Sequence, residues 1–215
     1  MKENVFGSIR LFLALTVLLG VAYPLVVWGI GRVAFREKAD GSLLKKEQGK
    51  ADSPVVGSSL IGQAFVMPGH FHGRPSAAGN GYDPTSSSGT NFGPTSKKLA
   101  DSIKDAVTAV RTDEAVTGAV PADAVTSSAS GLDPDISPEY ARLQIPRVSR
   151  ETRIPAADLE TLVARNTDGR FLGVYGESRV NVLALNVAID SKLGHPQIAP
   201  TPTPTPAPAA APAAS

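Results

Sequence analysis

Residues Leu11 to Ile30, LFLALTVLLGVAYPLVVWGI, run for twenty positions without a charge and are bracketed by Arg10 and Arg32. Wound as a helix at about 1.5 Å per residue, such a stretch reaches roughly 30 Å, the thickness of a bilayer's hydrocarbon core. Tyr23 and Trp28 stand toward its C-terminal end, where amphipathic aromatic rings favour the membrane interface. Pro24 removes one backbone donor and predicts a kink. The stretch is longer than the ~7–15 apolar residues of a secretory signal, and no A-x-A site follows it, so a retained single span is expected.

This feature divides the chain. Residues 1–10 form a short flank, 11–30 the span, and 31–54 a charged juxtamembrane connector. Residues 55–198 have the composition of one soluble domain, and 199–215, rich in Pro, Thr and Ala, read as a disordered tail with no apolar stripe to bury. The formal net charge is +1 with both signs mixed along the chain, which argues against a nucleic-acid partner and leaves membrane lipid as the evident non-protein one. The absence of cysteine excludes disulfides, thiolate metal sites and a cysteine nucleophile.

Within the domain, VVGSSLIGQAFV suggests short extended pieces broken by turns. Leu99, Ile103, Ala106, Val107 and Val110 then fall on one helical stripe, with Thr95 or Ser96 as cap. Ser137 and Pro138 open a second helix that Pro146 should kink or end. Pro155 heads a third, with Leu159, Leu162 and Val163 inward and Gly169 placed to cap its end. Phe171–Tyr175 reads as a strand turning at Gly176, followed by extended RVNV and a helical LALNVAIDSKL. Ser128 lies in a polar stretch expected to be exposed. Strands and helices alternate too little to require a parallel sheet, so the expected class is α+β: one N-terminal transmembrane helix, a single mixed domain and a tail.

Candidate sites are few. His70 and His72 in GHFHGRPSA would share a face if the segment were a strand and could grip one metal ion. A third ligand is wanting: only His195 remains among the histidines and no H-E-x-x-H occurs, so no metal is expected. Ser86–Ser96, SSSGTNFGPTS, is a loop feeding a helix N-terminus, able to offer backbone N–H groups to a phosphate but lacking the GK[ST] of a P-loop. SGLDPDISP carries Asp133 and Asp135 without the glycine and terminal glutamate of a calcium loop, and reads as an Asx turn before a helix. No Ser–His–Asp spacing stands out. On these residues the chain is a bilayer-anchored α+β domain without a convincing active site, which suggests an accessory or binding subunit that is not an enzyme by itself. An accessory subunit, an unrelated extracytoplasmic binding or scaffold protein, and a membrane-anchored hydrolase remain as classes.

The stretches GSSLIGQAF, FHGRPSA, SGTNFGPTS, SGLDPDISP, ARLQIPRV and GESRVNVLALNVAID, in this order after a span, resemble the C subunit of Kdp-type potassium-transporting ATPases. The resemblance runs from the span to about Asp190. It implies a subunit of a bacterial inner-membrane importer, partnered by a potassium-channel-like subunit and a P-type ATPase subunit. This chain lacks the DKTG-type phosphorylation motif of the pump subunit. The implied role is to assemble and stabilise the complex and to act as a catalytic chaperone that raises the pump's affinity for ATP. Ser88, Gly89, Thr90 and Asn91 map to the loop proposed to touch nucleotide, Thr90 standing where a second glycine is often found. The family topology puts the N-terminus in the cytoplasm and the domain outside. Arg32, Arg36, Lys38, Lys45, Lys46 and Lys50 outnumber Lys2, Arg10 and the amino terminus, which by charge alone points the other way. The expectation adopted is the extracytoplasmic domain.

Overall fold

The computed structural model describes residues 2–46 and 52–194; His195 and the tail at 199–215 lie outside them. The chain forms two compact units, Met1–Leu43 and Leu44–Ser215. In the first, helices α1 (Lys2–Val17) and α2 (Tyr23–Ala34) are joined by a π-helical turn, Leu18–Ala22. That wider turn directly precedes Pro24, whose missing N–H relaxes the regular ladder there. The apolar run Val5–Ala34 is 30 residues, long and apolar enough to cross a membrane, and its side chains find no core of their own. A four-residue helix, α3 (Arg36–Ala39), follows, and Asp40 pairs with Arg32.

The second unit opens on a short strand pair, β1 (Leu43–Lys45) with β2 (Val55–Ser58), and continues as coil through the rest of VVGSSLIGQAFV. Helix α4 (Lys97–Glu114) shows the expected stripe from Ile103 on, with Ile103, Ala106, Val107 and Val110 packed on the core, while Leu99 in its first turn is half-buried outside that cluster. Ser96 takes the extended N-cap conformation without a side-chain cap bond. Strand β3 (Asp135–Ile136) leads into α5 (Pro138–Thr152), whose N-cap Ser137 accepts the Tyr140 N–H at 3.0 Å.

Of the two outcomes expected at Pro146, a kink or an end, the structure excludes the end: α5 runs on to Thr152. Pro146 lies on the exposed face, while Arg147 and Val148 just beyond it are buried. Their tertiary contacts offset the roughly 3 kcal/mol that an interior proline costs. Helix α6 (Ala156–Arg165) buries Leu159, Leu162 and Val163 as expected. Gly169 does not cap it. Asn166 does, because Thr167–Asp168 are drawn away as β4 to pair with β5 (Arg179–Asn181).

β5 is the middle strand of an antiparallel sheet of order β3-β5-β4, registering Ile136 and Thr167 on Val180. Asn181 caps α7 (Val182–Leu193), accepting the Ala184 N–H at 3.0 Å. Leu185, Asn186 and Ile189 of α7 are fully buried, which makes it the central helix of the domain. The mixture of helix and small antiparallel sheet is the expected α+β class.

Phe171–Tyr175 is not a strand. It is a tight turn closed by one bridge between Phe171 and Tyr175, with Leu172 at φ +52° and Gly173 at φ +75°. No core surface meets it, so the apolar run does not extend into the sheet.

Candidate functional site

The segment 69–77 is coil without a strand on either side, with His70 and Phe71 buried, Pro75 exposed and the rest half-buried. Its backbone is instead paired by side-chain amides. Asn186 of α7 accepts the Phe71 N–H at 2.8 Å and donates to the Phe71 carbonyl at 2.9 Å. Gln144 of α5 does the same for His72, at 2.7 and 3.1 Å. Two helices thus each supply a replica of a strand edge, and the Phe71 side chain is fully buried in the domain's core.

Arg147 sits beneath this segment. Its Nε lies 3.0 Å from both carboxylate oxygens of Glu114, at the end of α4. Its Nη1 donates to the carbonyls of Pro68 and His70, and its Nη2 to Gln144 at 2.8 Å. Burial pushes the Glu114 carboxyl up, against the pull of the Arg147 charge. Removing one member of a buried pair of this kind typically costs about 3–5 kcal/mol.

The two histidines are separated in role. His70 is buried, its Nε2 lies 2.9 Å from Asp190 Oδ1, and its ring stands edge-on to Phe65. Burial, and then the Arg147 charge, push the His72 imidazole down to about 4; its Nε2 faces the Met67 carbonyl at 3.3 Å. The backbone here is coil, so the shared strand face on which a two-histidine grip depended does not form. Among the described residues no three His, Asp or Glu side chains lie close enough to hold a metal.

Arg74, next along, pairs with Asp133 at 2.9 Å and reaches Thr126. Ser76 donates to the Gly131 carbonyl at 2.6 Å and accepts from the N–H groups of Ala78 and Tyr82. The Tyr82 hydroxyl donates to the Arg74 carbonyl at 2.6 Å, and burial pushes that phenol up to about 12. Asp133 makes the expected Asx turn, accepting the Asp135 N–H at 3.1 Å.

Gly131, at φ +67°, is closely packed: a Cβ there would stand 2.7 Å from both the Ala78 nitrogen and the Ser88 carbonyl. The structure therefore brings FHGRPSA, the start of the serine-rich loop and SGLDPDISP onto one another. A cleft of about 500 Å³ opens beside Arg74, walled by Asp123, Asp133, Asp135, Glu177 and Arg179. Its two cations are each paired, Arg74 with Asp133 at 2.9 Å and Arg179 with Asp135 at 3.1 Å, which leaves the cleft with an excess of carboxylate.

The four loop residues mapped to nucleotide divide into two pairs. The Ser88 N–H donates to the Ser130 carbonyl at 3.0 Å. Gly89 lies against Ala129, where a Cβ would meet that carbonyl at 2.9 Å. Thr90 and Asn91 are exposed, and Asn91 is left-handed at φ +52°. Ser128, expected at the surface, is only 9 % exposed, because its Oγ turns inward to accept the Gly131 N–H at 2.9 Å.

Glu114, Gln144, Arg147, Asn186 and Asp190 were not singled out from the sequence. A signal existed. Glu114 continues the stripe of α4 four residues beyond Val110, and Gln144 and Asn186 interrupt otherwise apolar buried faces.

An apolar helix of membrane-spanning length joined to a small α+β domain defines a membrane-anchored domain protein. The family model for the K+-transporting ATPase c chain, KdpC, matches residues 5–191. A potassium-transporting ATPase KdpC subunit from Koribacter versatilis is 46% identical over 202 residues, covering 94% of this chain and all of the relative. Those from Caulobacter vibrioides and Gemmatimonas aurantiaca are 51% and 48% identical over 177 and 192 residues. They cover 82% and 89% of this chain, and 87% and 94% of their own lengths. The chain belongs to the KdpC family, the C chain of K+-transporting ATPases.

Proposed function

We propose that this chain is the non-catalytic accessory subunit of a high-affinity ATP-driven potassium importer. It assembles and stabilises a potassium-channel-like subunit with a P-type ATPase subunit, and it raises the pump's affinity for ATP. The observation that carries the reading is the helix Val5–Ala34, uncharged from Leu11 to Ile30 and without a core of its own, on a chain matched to KdpC from residue 5 to 191. Small residues on it, Gly20 and Gly29, have open space around them where a neighbouring helix can approach closely.

ATP is the ligand shared with the pump, and the exposed Thr90–Asn91 half of the Ser88–Asn91 loop is where this chain would touch it. Ser88 and Gly89 fix the shape of that loop by pairing with Ser130 and Ala129. With the domain outside the cytoplasm, the effect on ATP affinity would pass through the membrane subunits instead.

Two measurements on the intact complex test this. Replacing Leu11–Ile30 by an unrelated apolar helix should keep membrane insertion and weaken co-purification with the transport subunits; full co-purification would refute specific helix contacts. A cysteine at the exposed Thr117 should be labelled from outside intact cells by an impermeant thiol reagent, the native chain having no thiol to compete. Labelling only after lysis would place the domain inside and favour direct nucleotide contact.

A further inference from the structure

Strands β4 and β5 end in a turn that the domain does not use for its own packing. Phe171, Leu172, Val174 and Tyr175 are 71, 76, 72 and 67 % exposed, whereas Val180 on the adjoining strand is fully buried. Four of the five N–H groups from Phe171 to Tyr175 are paired within this tip. The N–H groups of Phe171 and Tyr175 donate to one another's carbonyls at 2.8 and 3.0 Å. Those of Gly173 and Val174 donate to Arg170 and Phe171 at 3.0 and 3.2 Å. Such internal pairing lowers the cost of entering the interfacial layer, where lipid headgroups and water can take the groups that remain. Leu172 is held at φ +52°, a conformation that costs a side-chain-bearing residue about 1–2 kcal/mol and here places leucine at the apex.

Four exposed apolar side chains thus fall within five consecutive residues of one turn. Residues 169–176 carry no acid and one cation, the exposed Arg170. Behind them Asp168 is paired with Arg179 at 3.4 Å, and Glu177 lines the cleft beside Asp135. An apolar tip with two aromatic rings and a cation at its base matches the membrane interface, where rings sit at headgroup level and arginine meets lipid phosphate. The chain supplies that surface itself, since the domain is covalently continuous with a helix of membrane-spanning length.

We propose that the Phe171–Tyr175 turn inserts into the interfacial layer of an anionic bilayer, as a second membrane contact besides the N-terminal helix. The test uses the full-length chain in vesicles of phosphatidylcholine and phosphatidylglycerol. Trp28→Phe removes the only tryptophan, and Leu172→Trp or Tyr175→Trp then reports from the tip. Both are exposed positions, so neither change disturbs the core. The expected result is blue-shifted emission quenched about twofold or more by lipids brominated near the headgroup, with Thr117→Trp unquenched as control. Emission typical of water, without quenching, overturns the proposal. So does a blue shift that appears only when the transport subunits are present and that brominated lipid does not quench, which would assign the tip to a pocket on a protein partner.

Discussion

Two stretches of this domain, 69–77 and 86–96, are both short, rich in small and polar residues and largely free of regular structure. In the first, Phe71 is fully buried, the backbone at 71 and 72 is paired by Asn186 and Gln144, and the carbonyl of His70 lies on Arg147. In the second, Ser87 and Ser88 bond to Ser130 and Gly89 lies against Ala129, while Thr90 and Asn91 are exposed. A loop whose polar backbone is taken up by side chains from two helices is part of the core, and changes there act on folding. A loop attached at one end can be altered without the domain responding, so an effect there reports on what it touches.

The sharpest way to break this contrast is Arg147→Ala. It leaves Glu114 buried without its partner and the carbonyls of Pro68 and His70 without their donor. The expected loss is about 3–5 kcal/mol. In a chain of this size that lowers the thermal midpoint by on the order of 10 °C, followed by circular dichroism of the full chain in detergent. A loss below about 1 kcal/mol, the level of an exposed ion pair, would remove segment 69–77 from the core.

A middle-sized effect is expected from pH. The folded protein keeps His72 neutral down to about pH 4, while the unfolded chain takes up its proton near the ordinary imidazole value of 6.5. Between those values the unfolded state binds more protons, so this group's contribution leaves stability intact above 6.5 and erodes it as pH falls toward 4. Allowing for partial exposure, the erosion is on the order of 1–2 kcal/mol. His72→Gln should flatten the pH dependence of urea unfolding over that window. An unchanged slope would mean that His72 is as well hydrated as a surface residue.

The smallest change is predicted for Thr90→Ala with Asn91→Gly, within about 0.5 kcal/mol of the parent in the same unfolding assay. The informative readout is then the ATP KM of potassium-stimulated hydrolysis by the complex. A raised KM at unchanged stability would sharpen the contrast in favour of nucleotide contact; an unchanged KM would remove these residues from the ATP site.

The sequence by itself determined the features that are local. The span needs only an uncharged run of sufficient length. The stripe from Leu99 to Val110 and the inward Leu159, Leu162 and Val163 need only the helical period. Ser137–Pro138 marks a helix start within a few residues of chain. What only the tertiary structure decided is everything that depends on a distant partner. Thr167–Asp168 became a strand because β5 lay alongside, and Phe171–Tyr175 failed to become one because nothing did. α5 passed Pro146 because buried contacts outweighed the missing bond. His70 found Asp190 120 residues further along the chain, and Arg147 found Glu114 33 residues before it. A hydrogen bond across such a separation leaves no period and no spacing to read. Its partners become identifiable only when the fold brings them to within 3 Å.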